Sequence, residues 1–162
     1  ADQSITLMSL NKVFNIPGLG LAWMICKNEE IRKKIQAQIG TLIPDPQIIS
    51  YVSTQAALRH GEPWRQELIQ YLDSNKLMLK NDIKQMRPLQ MYTMEASYLA
   101  WIGCSQLEIK DPAQLFLEHG LALQPGSMFQ QDNHVRINIA TPKSVLREAL
   151  DRMHAAIDSF QA

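Results

Sequence analysis

Cysteine is scarce in this chain: Cys26 and Cys104 are the only two among 162 residues, far apart and without a CxxC partner. That excludes a disulfide framework and a zinc ribbon, and fits two reduced, buried thiols in a cytoplasmic protein. Excess charge of one sign is also missing. Sixteen Lys and Arg against sixteen Asp and Glu leave a formal net charge of zero, so nothing draws the chain generally toward nucleic acid or an anionic membrane. Long apolar runs are absent. The longest uncharged stretch, Val13 to Cys26, is broken by Asn15, Pro17, Gly18 and Gly20 and is too short to span a bilayer. No basic segment followed by an apolar stretch and a cleavage site opens the chain, so no signal peptide is read and the cytoplasm is the expected location. The sequence starts at Ala1 rather than Met and runs at once into an apolar segment, which suggests a cut or engineered start. Internal repeats, low-complexity tracts and Gly/Ser linkers are lacking too.

What is present is an ordinary folded composition, 46% hydrophobic and 20% charged in 18.4 kDa, enough for one domain or two small ones. Ser4 to Ser9 reads as a strand that delivers Lys12 at its tip, and Leu19 to Cys26 as a second, buried strand after the Asn15-Ile16-Pro17-Gly18 turn. Asn28 caps a helix with Glu29 and Glu30 in its first turn, apolar residues at Ile31, Ile35 and Ile39, and Gly40 at its end. Asp45-Pro46 repeats the start signal for a helix with a core stripe of Ile48, Val52 and Ala56. A long helical pattern from Pro63 through Trp64, Leu68, Tyr71 or Leu72, Leu79, Ile83 and Met86 stops before Pro88 and has the length to bridge two bodies. Leu89 to Thr93, Ser97 to Cys104, Leu121 to Leu123 and Val135 to Ile139 read as strands. Asp111-Pro112 opens a short helix closed by Gly120, and Thr141-Pro142 caps a last one with Leu146, Leu150, Met153, Ile157 and Phe160 on one face. Strands interleaved with helices predict an α/β chain whose later part is a small α+β body.

Ser9-Leu10-Asn11-Lys12 has the SxxK spacing of serine acyl-transfer enzymes, but it ends a β-like run and has neither SDN nor KTG as a companion. Gly18 and Gly20 begin a dinucleotide fingerprint whose third glycine would fall on Trp23. His60, His119, His134 and His154 have no metal-ligand spacing, so no metal is expected. Trp64, Trp101 and most methionines are read as core. Two residues remain. Lys12 follows a strand and precedes a tight turn, where a lysine amine held in a cleft attacks carbonyls; a solvated loop lysine is the plain reading. Arg136 alternates with Val135 and Ile137, so it faces away from them, where its planar guanidinium suits a carboxylate; a rim salt bridge is the equally economical reading.

The segment Ser9-Leu10-Asn11-Lys12-Val13-Phe14-Asn15-Ile16-Pro17-Gly18-Leu19 resembles the lysine segment of fold-type I pyridoxal-phosphate enzymes, in the class I/II aminotransferase branch that contains cystathionine β-lyase-like C-S lyases. Further matches follow in order: His60-Gly61-Glu62-Pro63-Trp64, Asn75 inside the long helix, Tyr98-Leu99-Ala100-Trp101, Gln124-Pro125-Gly126-Ser127-Met128-Phe129, and Val135-Arg136-Ile137-Asn138. The resemblance implies pyridoxal 5'-phosphate as cofactor, Lys12 as its Schiff-base lysine and proton shuttle, Ser9 as a phosphate ligand and Arg136 as the clamp on the substrate α-carboxylate. It also implies a small amino-acid substrate, and either β-elimination of a cystathionine-type sulfur or transamination.

Departures narrow this. Aspartate-type relatives carry a basic phosphate-binding residue eight positions after the lysine, where this chain has Gly20, and many relatives have serine where Asn11 stands. Family members are more than twice this length. The chain therefore resembles a C-terminal half, with residues 1–61 the remnant of the large cofactor-binding domain and 62–162 the small domain led by the interdomain helix. Intact relatives are homodimers, so such a half is expected to expose apolar surface around Leu19 to Cys26, or to meet its N-terminal half in a second chain. A catalytically silent fragment or interaction module, with half of the site missing, is the alternative, and a regulatory homologue that senses pyridoxal phosphate without turnover is a third.

Overall fold

The computed structural model describes residues 4–40 and 42–161. It divides into two units, one up to Leu68 and one from Ile69 onward.

In the first unit β1 (Ile5–Ser9) and β2 (Ala22–Cys26) form an antiparallel ribbon with Ile5 opposite Cys26 and Ser9 opposite Ala22. The second strand starts later than Leu19, because Pro17–Leu19 closes a single 3-10 turn, with proline fixing φ at its first position. α1 (Glu29–Ile39) has the expected caps: Asn28 Oδ1 accepts from the Ile31 N–H at 3.1 Å, and Gly40, at φ +48°, donates to Gln36 O. α2 (Ile48–His60) departs from expectation. Gln47, not Asp45, precedes it, and its buried residues are Ser50 and Thr54, whereas Ile48 is 82% and Val52 54% exposed. Exposed apolar surface is thus centred on β1 and α2 rather than on Leu19 to Cys26, of which Ile25 is open and Cys26 is buried.

α3 (Glu62–Ile83) begins in the first unit and ends in the second, three residues short of Met86. The second unit holds an antiparallel sheet in the order β3 (Gln90–Met91), β4 (Leu99–Gly103), β6 (His134–Asn138), β5 (Gln124–Pro125). The strand expected at Leu121 to Leu123 forms instead as the two-residue β5, and that expected over Leu89 to Thr93 shrinks to β3. α4 (Pro112–Glu118) is capped by Asp111, and α5 (Lys143–Gln161) carries Leu146, Leu150, Met153 and Ile157 into the core, while Phe160 is exposed. One apolar cluster joins these residues to Leu79 and Ile83 of α3, Ala100 and Ile102 of β4, Phe116 of α4, and Val135 and Ile137 of β6. Cys104 lies in the same core, where burial pushes its thiol up to about 12 and leaves it an inert packing group.

Two polar ties fasten this core. The buried amide of Asn75 donates to Ile139 O and Thr141 O, both at 2.9 Å, joining α3 to the segment between β6 and α5. Buried Asp82 of α3 accepts two hydrogen bonds from Arg147 of α5 at 2.6 and 3.0 Å, with His154 Nε2 3.4 Å away. Burial of this carboxyl opposes its charge, but Arg147 and then His154 outweigh that and hold it below its ordinary value.

Candidate active site

The lysine segment leaves β1 as a tight turn. Phe14 N donates to Leu10 O at 3.0 Å and Ile16 N to Asn11 O at 2.9 Å, and Asn15 takes the left-handed conformation with φ +53°. Lys12 projects from the middle of this turn and is exposed, not held in a cleft of its own unit. Its side chain has no hydrogen-bond or ion-pair partner among the described residues. Ser9 lies at the root of the turn, where its hydroxyl donates to Leu21 O at 2.9 Å and accepts from Asn11 N at 3.2 Å. Its proton is therefore committed to the ribbon, and a phosphate would have to compete with Leu21 for it.

Phe14 packs against the start of α3 at two residues, Trp64 and Gly61. Its ring centroid is 5.9 Å from that of Trp64 in the first turn of α3. A Cβ added at Gly61 would lie 2.4 Å from Phe14 Cε1 and 2.6 Å from Ala57 O. Gly61 has ordinary helical angles, φ −83° and ψ −7°, so the space it leaves is what matters here. Trp64, expected in the core, is 44% exposed. Between them Glu62 accepts from Arg65 at 2.7 and 2.6 Å and from Gln66 at 3.0 Å. Those bonds, Arg65 first, hold its carboxyl at about 2.

The second unit presents Arg136 as its alternation foretold: Val135 and Ile137 are buried, and Arg136 stands half-buried on the other face of β6. It pairs across the sheet with Trp101 on one side and Gln124 on the other. Its Cζ lies 4.5 Å from the centroid of the Phe129 ring, and its Nη2 donates to Gln124 Oε1. Trp101 meets Phe129 edge-on and stacks on His134 at 5.3 Å, whose Nε2 is 3.3 Å from Tyr92 Oη. The rim salt bridge does not form. None of the ion pairs among the described residues includes Arg136, and its Nε is buried with no hydrogen-bond partner. A charged fork with a vacant donor, set among rings, can take a carboxylate.

Of the expected site residues, Ser9 and Lys12 share one turn of the first unit and Arg136 stands in the second. The roles of Gln124 and Phe129 beside Arg136 were not legible in the sequence. Their signal is weak, since β5 is only two residues long and Phe129 sits in a 3-10 turn. The residues present fit pyridoxal phosphate at one point in particular, an unpartnered primary amine at Lys12. Among the described residues no group of three or more His, Cys, Asp or Glu could hold a metal ion. Among those residues, no helix is long and apolar enough to cross a membrane.

Comparisons with known proteins identify the family. The chain is 40% identical to the protein OvoB in a solved structure, with a TM-score of 0.94, over 96% of this chain and 41% of that one. It is 33% identical to the pyridoxal-phosphate-bound C-S lyase of Staphylococcus hominis, TM-score 0.87, over 97% of this chain and 40% of that one. It is 28% identical to cystathionine beta-lyase PatB of Bacillus subtilis over 97% of this chain and 42% of the relative. The chain thus spans less than half the length of each of these relatives. The family model for aminotransferase class I and II matches residues 1–153, and the chain belongs to that family.

Proposed function

We propose that this chain carries the Schiff-base lysine and the carboxylate-binding arginine of a pyridoxal-phosphate enzyme acting on amino acids, a C-S β-lyase of the cystathionine type. In this reading residues 1–61 belong to the large cofactor-binding domain and 62–162 form the small domain. The observation that carries it is the state of Arg136, a guanidinium with no carboxylate partner among the described residues and a buried Nε–H without an acceptor. Leaving such a donor unmet costs about 1–3 kcal/mol, so an anion that accepts from it is favoured. The names of the Staphylococcus and Bacillus relatives supply the reaction class.

When bound, pyridoxal phosphate supplies an electron sink for the bonding electrons of the substrate Cα–H bond. Lys12 anchors it through its amine and, once released, takes the α-proton and returns one. Arg136 fixes the α-carboxylate with parallel hydrogen bonds, and Ser9 offers its hydroxyl to the phosphate. With the cofactor held there, a substrate with sulfur on Cβ would lose thiol and, on hydrolysis by one water, give pyruvate and ammonia, whereas one without it would be a substrate for transamination. The free thiols of Cys26 and Cys104 support a reducing, cytoplasmic setting. The open apolar residues of β1 and α2 support assembly as a homodimer.

The test is pyruvate release from cystathionine by the full chain loaded with cofactor, beside Lys12→Ala and Arg136→Ala. Wild-type release, its loss in Lys12→Ala, and a KM raised about a hundredfold in Arg136→Ala are expected. Release undiminished in Lys12→Ala overturns the reading. A 2-oxo acid without thiol release moves it to an aminotransferase, and a folded chain giving neither product is a silent interaction module.

A further inference from the structure

The His60-Gly61-Glu62-Pro63-Trp64 segment lies far along the chain from Lys12, yet its contacts end on the lysine turn. We propose that Gly61 and Trp64 are positioning residues for Lys12, acting through Phe14. This rests on the reading of Lys12 given above.

Phe14 stands two residues after Lys12, inside the hydrogen-bonded turn that opens at Leu10. Its N–H closes that turn on Leu10 O at 3.0 Å, so any displacement of Phe14 is passed to the backbone that carries Lys12. The ring occupies space that exists only because residue 61 lacks a side chain: a single methyl there would come within 2.4 Å of Phe14 Cε1 and 3.1 Å of Cδ1. Real carbon atoms do not approach so closely, so an alanine drives the ring out or shifts the end of α2. The same ring meets Trp64 at 5.9 Å and 30°. The hydrogen bonds that Arg65 and Gln66 give to Glu62 fix the first turn of α3, from which Trp64 projects. The turn holding Lys12 is otherwise exposed on the ribbon side, where every residue of β1 is open. Phe14 is therefore its anchor. An amine presented by a fixed turn reacts faster than one on a loose loop, because the approach geometry is set beforehand.

The experiment is reductive labelling of the full chain with pyridoxal phosphate and borohydride. The lysine nitrogen bonds the aldehyde carbon, water leaves, and hydride reduces the C=N bond. Peptide mass spectrometry then gives the ratio of labelled Lys12 to labelled Lys33, an exposed surface lysine paired with Glu29 at 2.8 Å. In wild type Lys12 is expected to be labelled ahead of Lys33, and the ratio to fall about tenfold or more in Gly61→Ala, Phe14→Ala and Trp64→Ala, with Trp64→Phe restoring it to within about twofold. Far-UV dichroism is recorded for each variant, and the more conservative Phe14→Leu, expected to lower the ratio by an intermediate amount, stands in for any that unfolds. A wild-type ratio near one would defeat the reading of Lys12 itself. A wild-type preference for Lys12 that survives in folded Gly61→Ala and Phe14→Leu would overturn the positioning role and leave that reading intact.

Discussion

The two units bury their apolar residues to very different extents. From Ile69 onward the chain fills a core from three helices and a sheet, with Leu79, Ala100, Ile102, Phe116, Val135 and Leu150 wholly enclosed. Among the described residues up to Leu68 the only buried hydrophobic one is Cys26, while Leu7, Ile48 and Leu58 are 76%, 82% and 63% exposed. Apolar content does not separate the two; cover does. Periodicity reports which face of a helix is apolar, and whether that face meets a partner is a property of the assembly.

The sharpest break of this contrast is a pair of truncations. Phe116→Ala in the second unit is expected to cost about 3–5 kcal/mol in urea unfolding, as for other fully enclosed aromatics, whereas Ile48→Ala in the first changes stability by less than about 0.5 kcal/mol. Equal losses would erase the distinction. Next comes Asn75→Ala, which strips two backbone carbonyls of their donor and should cost roughly 1–3 kcal/mol in the same measurement. A functional variant of the second unit follows. Gln124→Glu puts a carboxylate against Arg136 and is expected to raise KM for an amino-acid substrate about tenfold with kcat little changed, because only uniform binding is lost. An unchanged KM would mean that the guanidinium faces elsewhere. The smallest effect concerns acid. The Asp82 carboxyl is depressed in the folded chain, so its contribution is complete above the ordinary aspartate value and fades as pH falls through the folded one. Thermal midpoints should therefore drop on acidification below about pH 4 in wild type and drop less in Asp82→Asn. Parallel curves would remove Asp82 from the account.

Much of the second unit was legible in the sequence because its patterns are complete there: the alternation at Val135, Arg136 and Ile137, the Asp111-Pro112 cap, and the α5 stripe up to Ile157 all found the partners they imply. The first unit was read less well. Asp45-Pro46 looks like a helix start, but the helix waits until Ile48, and the stripe assigned to the core is the open face. At the candidate site, residue type alone left a solvated lysine and a rim arginine as the plain readings, and the family resemblance pointed to Lys12 and Arg136. The contacts of Phe14 and the amide of Gln124 could not be read, since each depends on a contact across 12 residues or more. Ser9 was read as a phosphate ligand from the family resemblance, and its bond to Leu21 is visible only in three dimensions.

The Asn75 amide has a consequence for time rather than energy. Its two bonds close loops of 64 and 66 residues, among the slowest kinds of contact for a chain to find, so they form late on the way to the folded state. Contacts absent at the barrier govern how fast a protein leaves its native basin. One buried side chain thereby acts as a latch on the lifetime of the unit that carries Arg136, while the pace of its refolding is set elsewhere.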